Sequence, residues 1–289
     1  MMSPLLTVVV PVYGMSGKLK NLESWISEAA ESDIEVIIVE DLHDSSTTVE
    51  LENLAKKFSP NKIKLISGKY GSPGGARNAG KAIATGTWIT FWDSDDVGIP
   101  KIAVSYLFAD HIRKARQLFV FSYTTNDWGS GLQLSENSVI PGSQTLDQIA
   151  KNPGIWRIIF PTEILRDVDF PSYKMAEDQI FLAMVGLKYP TINYIDQVVY
   201  RYFKNVPNQL TTSKRAISDL KLSTQKMAEI CEISGLNKFN YELFLRQSIT
   251  GIIHSPITGK IEFIVGIVKF LLKKPFFNKL SILGRILRP

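Results

Sequence analysis

Three β-branched runs alternating with two helical periodicities constrain this chain more than any other feature. Leu5 to Tyr13, Ile34 to Val39 and Lys62 to Ile66 read as strands buried on both faces, with Pro11 near the end of the first. Between them, Leu19, Leu22, Trp25, Ile26 and Ala29 recur at three and four, as do Val49, Leu51, Leu54, Ala55 and Phe58. A β-α-β-α-β order predicts a parallel sheet with right-handed crossovers. At 289 residues the chain can bury a large core, as one large domain or two small ones.

A further run, Trp88 to Trp92, suits a buried strand and ends in Asp93-Ser94-Asp95-Asp96. Open α/β sheets bind ligands beyond the carboxyl ends of their strands, so these acids fall where a ligand is expected. Crowded carboxylates resist burial unless they share a cation, and hard oxygen donors select Mg²⁺ or Mn²⁺. The competing structural reading is a solvated acidic turn, or Asp95 or Asp96 capping a helix that starts near Pro100.

The stretch Gly71 to Lys81 invites comparison with a phosphate loop, since Gly75 to Lys81 has the G-x-x-x-x-G-K spacing. Position 82 is Ala where a metal-binding Ser or Thr is required, and the preceding strand ends too early, so the match is treated as coincidence. The reading adopted is a turn at Pro73-Gly74-Gly75, then a small-residue helix over 76–84 that packs closely on the sheet. Its amino end and Arg77 then face the crevice of Asp93, where an anion can sit.

Downstream, 102–115 reads as a helix, 117–124 as a strand, and Asn126 to Gly142 as a turn-rich loop suited to selecting substrates. A short helix begins over 146–150, and Trp156 to Phe160 is aromatic and apolar. Glu177 and Asp178 precede an amphipathic helix, either as ordinary first-turn acids or as a general base overlooking a cleft. Thr191 to Tyr202 reads as a strand. After Ser213 the pattern turns helical, with candidates over 220–233 and 240–253. Ile261 to Leu272 is too short to span a bilayer and fits either an interfacial helix on anionic lipid or a core helix.

The net charge of +5 is unevenly placed: no acid follows Glu262, the tail beyond it carries +6, and residues 1–262 sum to −1. That distribution disfavours nucleic acid as a partner and assigns any basic interaction to the tail. One cysteine, Cys231, fits a reducing compartment, and Met1 to Pro4 has no basic leader, so a cytoplasmic location is expected.

Taken in order, Val9-Val10-Pro11-Val12-Tyr13, Glu40-Asp41, Gly75 to Gly80, Trp92 to Asp96 and Glu177-Asp178 resemble the signature of family 2 glycosyltransferases over about residues 5–205. The resemblance implies a GT-A fold: a mostly parallel mixed sheet flanked by helices. It divides the chain into residues 1–212, comprising a nucleotide-sugar half (1–105) and an acceptor half (106–212), and a C-terminal helical extension, 213–289, with a basic amphipathic tail. The implied reaction is inverting, metal-dependent transfer of a single sugar from a nucleotide-diphosphate donor, UDP favoured, to an acceptor hydroxyl.

By the same resemblance Asp41 recognises the nucleobase, Pro11, Val12 and Tyr13 lie along the nucleotide, and Arg77 approaches the diphosphate. Asp93 and Ser94 meet the ribose, Asp95 reaches Mn²⁺ or Mg²⁺, and Asp178 is the catalytic base. The implied acceptor is a glycan or lipid-linked glycan of bacterial surface polysaccharide assembly, which makes peripheral membrane contact through residues 260–289 useful. Glu40-Asp41-Leu42-His43 stands where the family usually has Asp-Asp-Gly-Ser, with His43 read as a surface-loop residue. No Q-x-x-R-W motif follows Tyr200, so addition of one sugar at a time is expected. The competing readings are a non-catalytic nucleotide-sugar-binding scaffold and a nucleotidyltransferase of similar sheet topology.

Overall fold

The computed structural model describes residues 3–42, 44–108, 117–128, 139–140, 149–150, 152–188, 192–207, 214–233 and 238–272. His43, much of the 126–142 loop, the start of the 146–150 helix, residues 109–115 and the tail beyond Leu272 lie outside them.

The expected alternation is present as β1 (Leu6–Val12), α1 (Lys20–Glu31), β2 (Ile34–Asp41), α2 (Ser45–Ala55) and β3 (Ile63–Gly68). β1 pairs in parallel with β2 on one side and with β4 (Trp88–Phe91) on the other, so Val9 stands opposite both Ile37 and Phe91. Successive side chains of β1 serve opposite faces, as strand geometry requires. Leu6, Val8 and Val10 pack with Leu22, Trp25 and Ile26 of α1, while Val9 packs with Ala76 of α3 (Pro73–Ala82).

The expected turn at Pro73-Gly74-Gly75 is corrected: these residues form the first turn of α3. Ser72 Oγ accepts the Gly75 N–H at 3.1 Å, and Pro73 sits at the first helical position, where its missing donor goes unused. Glycine also lets α3 approach its neighbours closely. A Cβ on Gly80 would fall 2.4 Å from Val9 Cγ1, and one on Gly74 would fall 2.7 Å from the Pro171 carbonyl. The capping idea for the acids is corrected too, because β5 (Val97–Gly98) intervenes and α4 (Pro100–Leu107) begins after Ile99 with no side-chain cap.

The second half adds β6 (Leu118–Asp127), β7 (Val139–Ile140), β8 (Ile158–Pro161) and β9 (Ile192–Lys204), with α5 (Glu177–Lys188) between the last two. Among the described residues the strands form one sheet ordered β3-β2-β1-β4-β8-β6-β9-β5, with β7 on β6. β8 runs antiparallel to both β4 and β6, whereas β6 and β9 are parallel. β6 outlasts the expected end at Thr124 because β9 continues opposite it as far as Asp127 and Lys204. The architecture is a mostly parallel mixed sheet between helices, the GT-A arrangement anticipated above.

Helices α6 (Lys214–Ile233), α7 (Lys238–His254) and α8 (Ile257–Leu272) close the chain, and Met227, Ile230, Phe244 and Phe270 join the same core cluster as Val9 and Phe91. α8 combines the two alternatives left open for it. Phe263, Ile267 and Phe270 are buried, while Ile257, Ile261, Ile264, Val265 and Val268 form an exposed stripe. Among the described residues no helix is long and apolar enough to cross a membrane.

Candidate active site

Strand order reverses direction at β1, whose neighbours β2 and β4 both run parallel to it, and the crevice beyond their carboxyl ends is the switch point of an open α/β sheet. A cavity of ≈ 650 Å³ opens there. Pro11, Val12 and Tyr13 reach it from the end of β1, Asp41 from β2, Arg77 from α3, Asp93, Ser94 and Asp95 from the loop after β4, and Asp178 from α5. The residues to which the resemblance gives roles in binding and catalysis thus border one space.

The carboxylate pairs divide between cavity and framework. Glu40 is buried and accepts hydrogen bonds from Thr48 Oγ1 at 2.5 Å and Ser67 Oγ at 2.7 Å. Asp41, the next residue and so on the opposite face of the strand, borders the cavity and accepts the Tyr70 N–H at 2.8 Å. Asp96 is likewise framework: Tyr200 donates its hydroxyl at 2.8 Å and Phe203 its N–H at 2.6 Å. Burial first, then Asp95 and Asp93, pushes the Asp96 carboxyl well above its ordinary pKa. Tyr200 also accepts the Asp93 N–H, and Asn21 Nδ2 donates to the Asp95 carbonyl at 2.6 Å, so the acidic loop is braced from two sides.

Arg77 is the hub. Nη1 donates to Glu177 Oε1 at 2.7 Å and Nη2 to Asp93 Oδ1 at 2.8 Å, with only 6% of the side chain exposed. Burial alone would lower the guanidinium pKa; Asp93, Glu177 and Asp178 outweigh it and raise the pKa. Asp178 keeps a partly open surface toward the cavity while protein surrounds it. Burial and then Glu177 push its carboxyl up to about 7, against the opposing pull of Arg77 and the Gln179 N–H. A carboxylate poised near neutrality is suited to general-base work. Ala176, just before these acids, holds a left-handed φ of 63°, a conformation that costs a non-glycine residue about 1 kcal/mol or more and aims the start of α5.

Hard oxygen donors are available at Asp93 and Asp95, and among the described residues no group of three or more potential ligands gathers. One or two carboxylates are the usual protein share of a Mg²⁺ or Mn²⁺ site completed by phosphate oxygens and water.

Several cavity residues were not anticipated. Trp156 stacks on Tyr202 with centroids 5.4 Å apart, forming an aromatic wall whose only sequence signal was the apolar run beginning at Trp156. Leu220, Arg246, Gln247 and Thr250 arrive from α6 and α7, and nothing in their local sequence marks them. Gln247 Nε2 donates to Gln179 Oε1 at 3.1 Å, and Asp219 accepts the Lys174 N–H at 2.7 Å, so the C-terminal helices support the segment bearing Asp178.

Residues 7–167 match the Glycosyl transferase family 2 model, and the chain belongs to that family. It is 25% identical over 227 residues to the uncharacterized glycosyltransferase EpsJ of Bacillus subtilis, covering 73% of this chain and 64% of EpsJ. It is 24% identical over 187 residues to the Escherichia coli UDP-Glc:alpha-D-GlcNAc-diphosphoundecaprenol beta-1,3-glucosyltransferase WfgD, covering 63% and 70%. Residues 1–349 of Staphylococcus aureus TarS in complex with UDP-GlcNAc share the fold, with a TM-score of 0.65, 21% identity and coverage of 94% and 82%. The Pyrobaculum calidifontis mannosyltransferase PcManGT with GDP-Man and Mn²⁺ gives 0.53, at 13% identity and coverage of 95% and 89%.

Proposed function

We propose that this chain transfers a single sugar, with inversion, from a nucleotide-diphosphate donor to an acceptor hydroxyl in the assembly of a bacterial surface polysaccharide. The observation that carries the reading is Asp178 sharing one cleft with Arg77, itself clamped between Asp93 and Glu177. The donor's nucleobase is read by Asp41, its nucleoside lies along Pro11, Val12 and Tyr13, and its ribose meets Asp93 and Ser94. Arg77 holds a fixed positive charge beside the diphosphate. Asp178 takes the acceptor's hydroxyl proton as that oxygen bonds to the anomeric carbon. The bond from that carbon to the diphosphate breaks on the opposite face, and the nucleoside diphosphate leaves with the electron pair. One in-line displacement inverts the centre.

UDP-sugars are favoured because WfgD is named for UDP-Glc and the TarS complex contains UDP-GlcNAc. A hydrolysis panel of UDP-, GDP- and dTDP-sugars, with and without Mn²⁺, tests the donor class. Release of no nucleotide from any of them under all conditions overturns the transfer reading.

Asp95, with Asp93, fits the role of holding Mn²⁺ or Mg²⁺, and such an ion supplies Lewis-acid neutralisation of the diphosphate. Replacing Asp95 by Asn is expected to weaken Mn²⁺ binding in the presence of UDP by about tenfold or more, read by electron paramagnetic resonance. Unaltered Mn²⁺ affinity removes Asp95 from the metal role.

The acceptor proposed is a glycan or lipid-linked glycan, met at the cytoplasmic face of a membrane. Support comes from the exposed stripe of α8 and from Lys260, Lys269 and the acid-free tail beyond Glu262, a combination suited to anionic lipid. Changing Ile261 and Ile264 together to Asp is expected to weaken sedimentation with phosphatidylglycerol vesicles more than tenfold, since each exposed aliphatic chain contributes roughly 1 kcal/mol or more when buried in lipid. Equal sedimentation of both proteins overturns the membrane contact.

A further inference from the structure

Asp93 to Asp96 form a turn whose central residues, Ser94 and Asp95, border the cavity, and whose closing bond, from the Asp96 N–H to the Asp93 carbonyl, is long at 3.3 Å. Carboxylates at 93, 95 and 96 repel one another and oppose so compact a shape. One hydroxyl ties both ends of the turn. Tyr200 Oη accepts the Asp93 N–H at 3.0 Å and donates to Asp96 Oδ2 at 2.8 Å. A phenol can do both at once, being donor and acceptor. The other oxygen of Asp96 takes the Phe203 N–H at 2.6 Å, which anchors the far end of the turn to β9.

The ring carrying this hydroxyl is locked. Tyr200 is fully buried, stacked on Trp156 at 4.7 Å and 12°, with the Trp92 ring 6.1 Å away. Gly98 stands opposite it on β5, and a Cβ there would fall 2.1 Å from the Trp92 ring, so the surrounding space is filled. Packing and strand pairing use the ring and backbone of Tyr200; the hydroxyl serves the acidic turn alone. From the turn the connection continues outward. Asp93 Oδ1 accepts from Arg77 Nη2 at 2.8 Å, and Arg77 Nη1 holds Glu177 at 2.7 Å, so β9, the acidic turn, α3 and α5 are joined in series.

We infer that the Tyr200 hydroxyl is a positioning group: it holds the Asp93–Asp96 turn in the shape that sets Asp93 against Arg77 and offers Asp95 to the cation of the donor diphosphate. The clause on the donor rests on the transfer reading above, and the clause on Arg77 does not.

Tyr200→Phe keeps the ring and deletes the hydroxyl. Tyr200 and Arg77 share no hydrogen bond, so energetic coupling between them has to pass through Asp93. In a double-mutant cycle on the unliganded full chain, followed by denaturant unfolding, Arg77→Gln is expected to shift the unfolding equilibrium about fivefold less in the Tyr200→Phe background than in the parent. Additive losses overturn the inference. By calorimetry, Tyr200→Phe alone is expected to weaken UDP binding in the presence of Mn²⁺ about tenfold or more, as loss of an outer partner of a metal site does, and to weaken it less without metal. General loosening of the fold would lower both affinities alike, and that result overturns the inference. Adding Asp96→Asn to Tyr200→Phe removes the buried carboxylate that the lost hydroxyl leaves short of a donor. The melting temperature is then expected to recover in part while the Mn²⁺-dependent affinity stays low. Recovery of both assigns the hydroxyl to the fold and overturns the positioning role. If the parent binds no UDP, or binds it equally with and without Mn²⁺, the transfer or metal reading fails instead, and the unliganded cycle still decides the role of Tyr200.

Discussion

Replacing Asp178 by Asn is expected to lower turnover by about three orders of magnitude while UDP still binds with its original Kd, as loss of a positioned base does. In the unaltered protein, turnover is expected to rise with pH to a plateau above about 7, because only the ionised carboxylate accepts the proton. The stability effect has the opposite sense. A carboxyl whose folded pKa is raised binds its proton more tightly when folded than when unfolded, so stability falls as pH rises from the ordinary Asp range to about 7. Asn at this position removes the cost of an ionised group beside Glu177. The variant is therefore expected to melt higher than the parent at pH 8, with the difference fading toward pH 4. Turnover within tenfold of the parent, by nucleotide release assay, reduces Asp178 to an ordinary first-turn acid of α5.

Replacing Arg77 by Gln is expected to be the most destabilising change in the cleft. Glu177 and Asp93 lose their shared cation, and Asp178 loses the charge that restrains its pKa. Breaking a buried ion pair from one side costs about 3–5 kcal/mol, so a melting temperature lower by about 10 °C is expected for a domain of this size. Lys at the same place retains charge without the fork that serves two carboxylates, and an intermediate loss is expected. Adding Glu177→Gln to Arg77→Gln is expected to recover part of the loss, because one uncompensated buried charge is removed with its partner. Additive losses in that pair, measured by calorimetry, refute direct coupling through the Arg77–Glu177 bond.

Much of the scaffold was legible because its signals are local. The first five elements appear where apolar periodicity put them, and the acids follow a buried strand as read. Pro73-Gly74-Gly75 misled because glycines mark turns when judged singly. The decisive features are the Ser72 cap and the close approach of α3 to Val9, and the second exists only after folding. α8 was ambiguous because both its faces are apolar, and composition does not say which face meets Phe244.

The succession of the first strands and helices along the chain, the acidic loop and the identity of the acids near it belong to the sequence, since hydrophobic period and turn chemistry act over a few residues. Which carboxylate of each pair faces the crevice was decided by tertiary structure. Glu40 turns to Thr48 and Ser67 while Asp41 borders the cavity, and Asp96 is claimed by Tyr200 and Phe203, more than a hundred residues away. Arg246 entered the cleft by the same route, through the docking of α7 on α5. Such placements depend on contacts between segments remote along the chain, whose geometry no local pattern encodes.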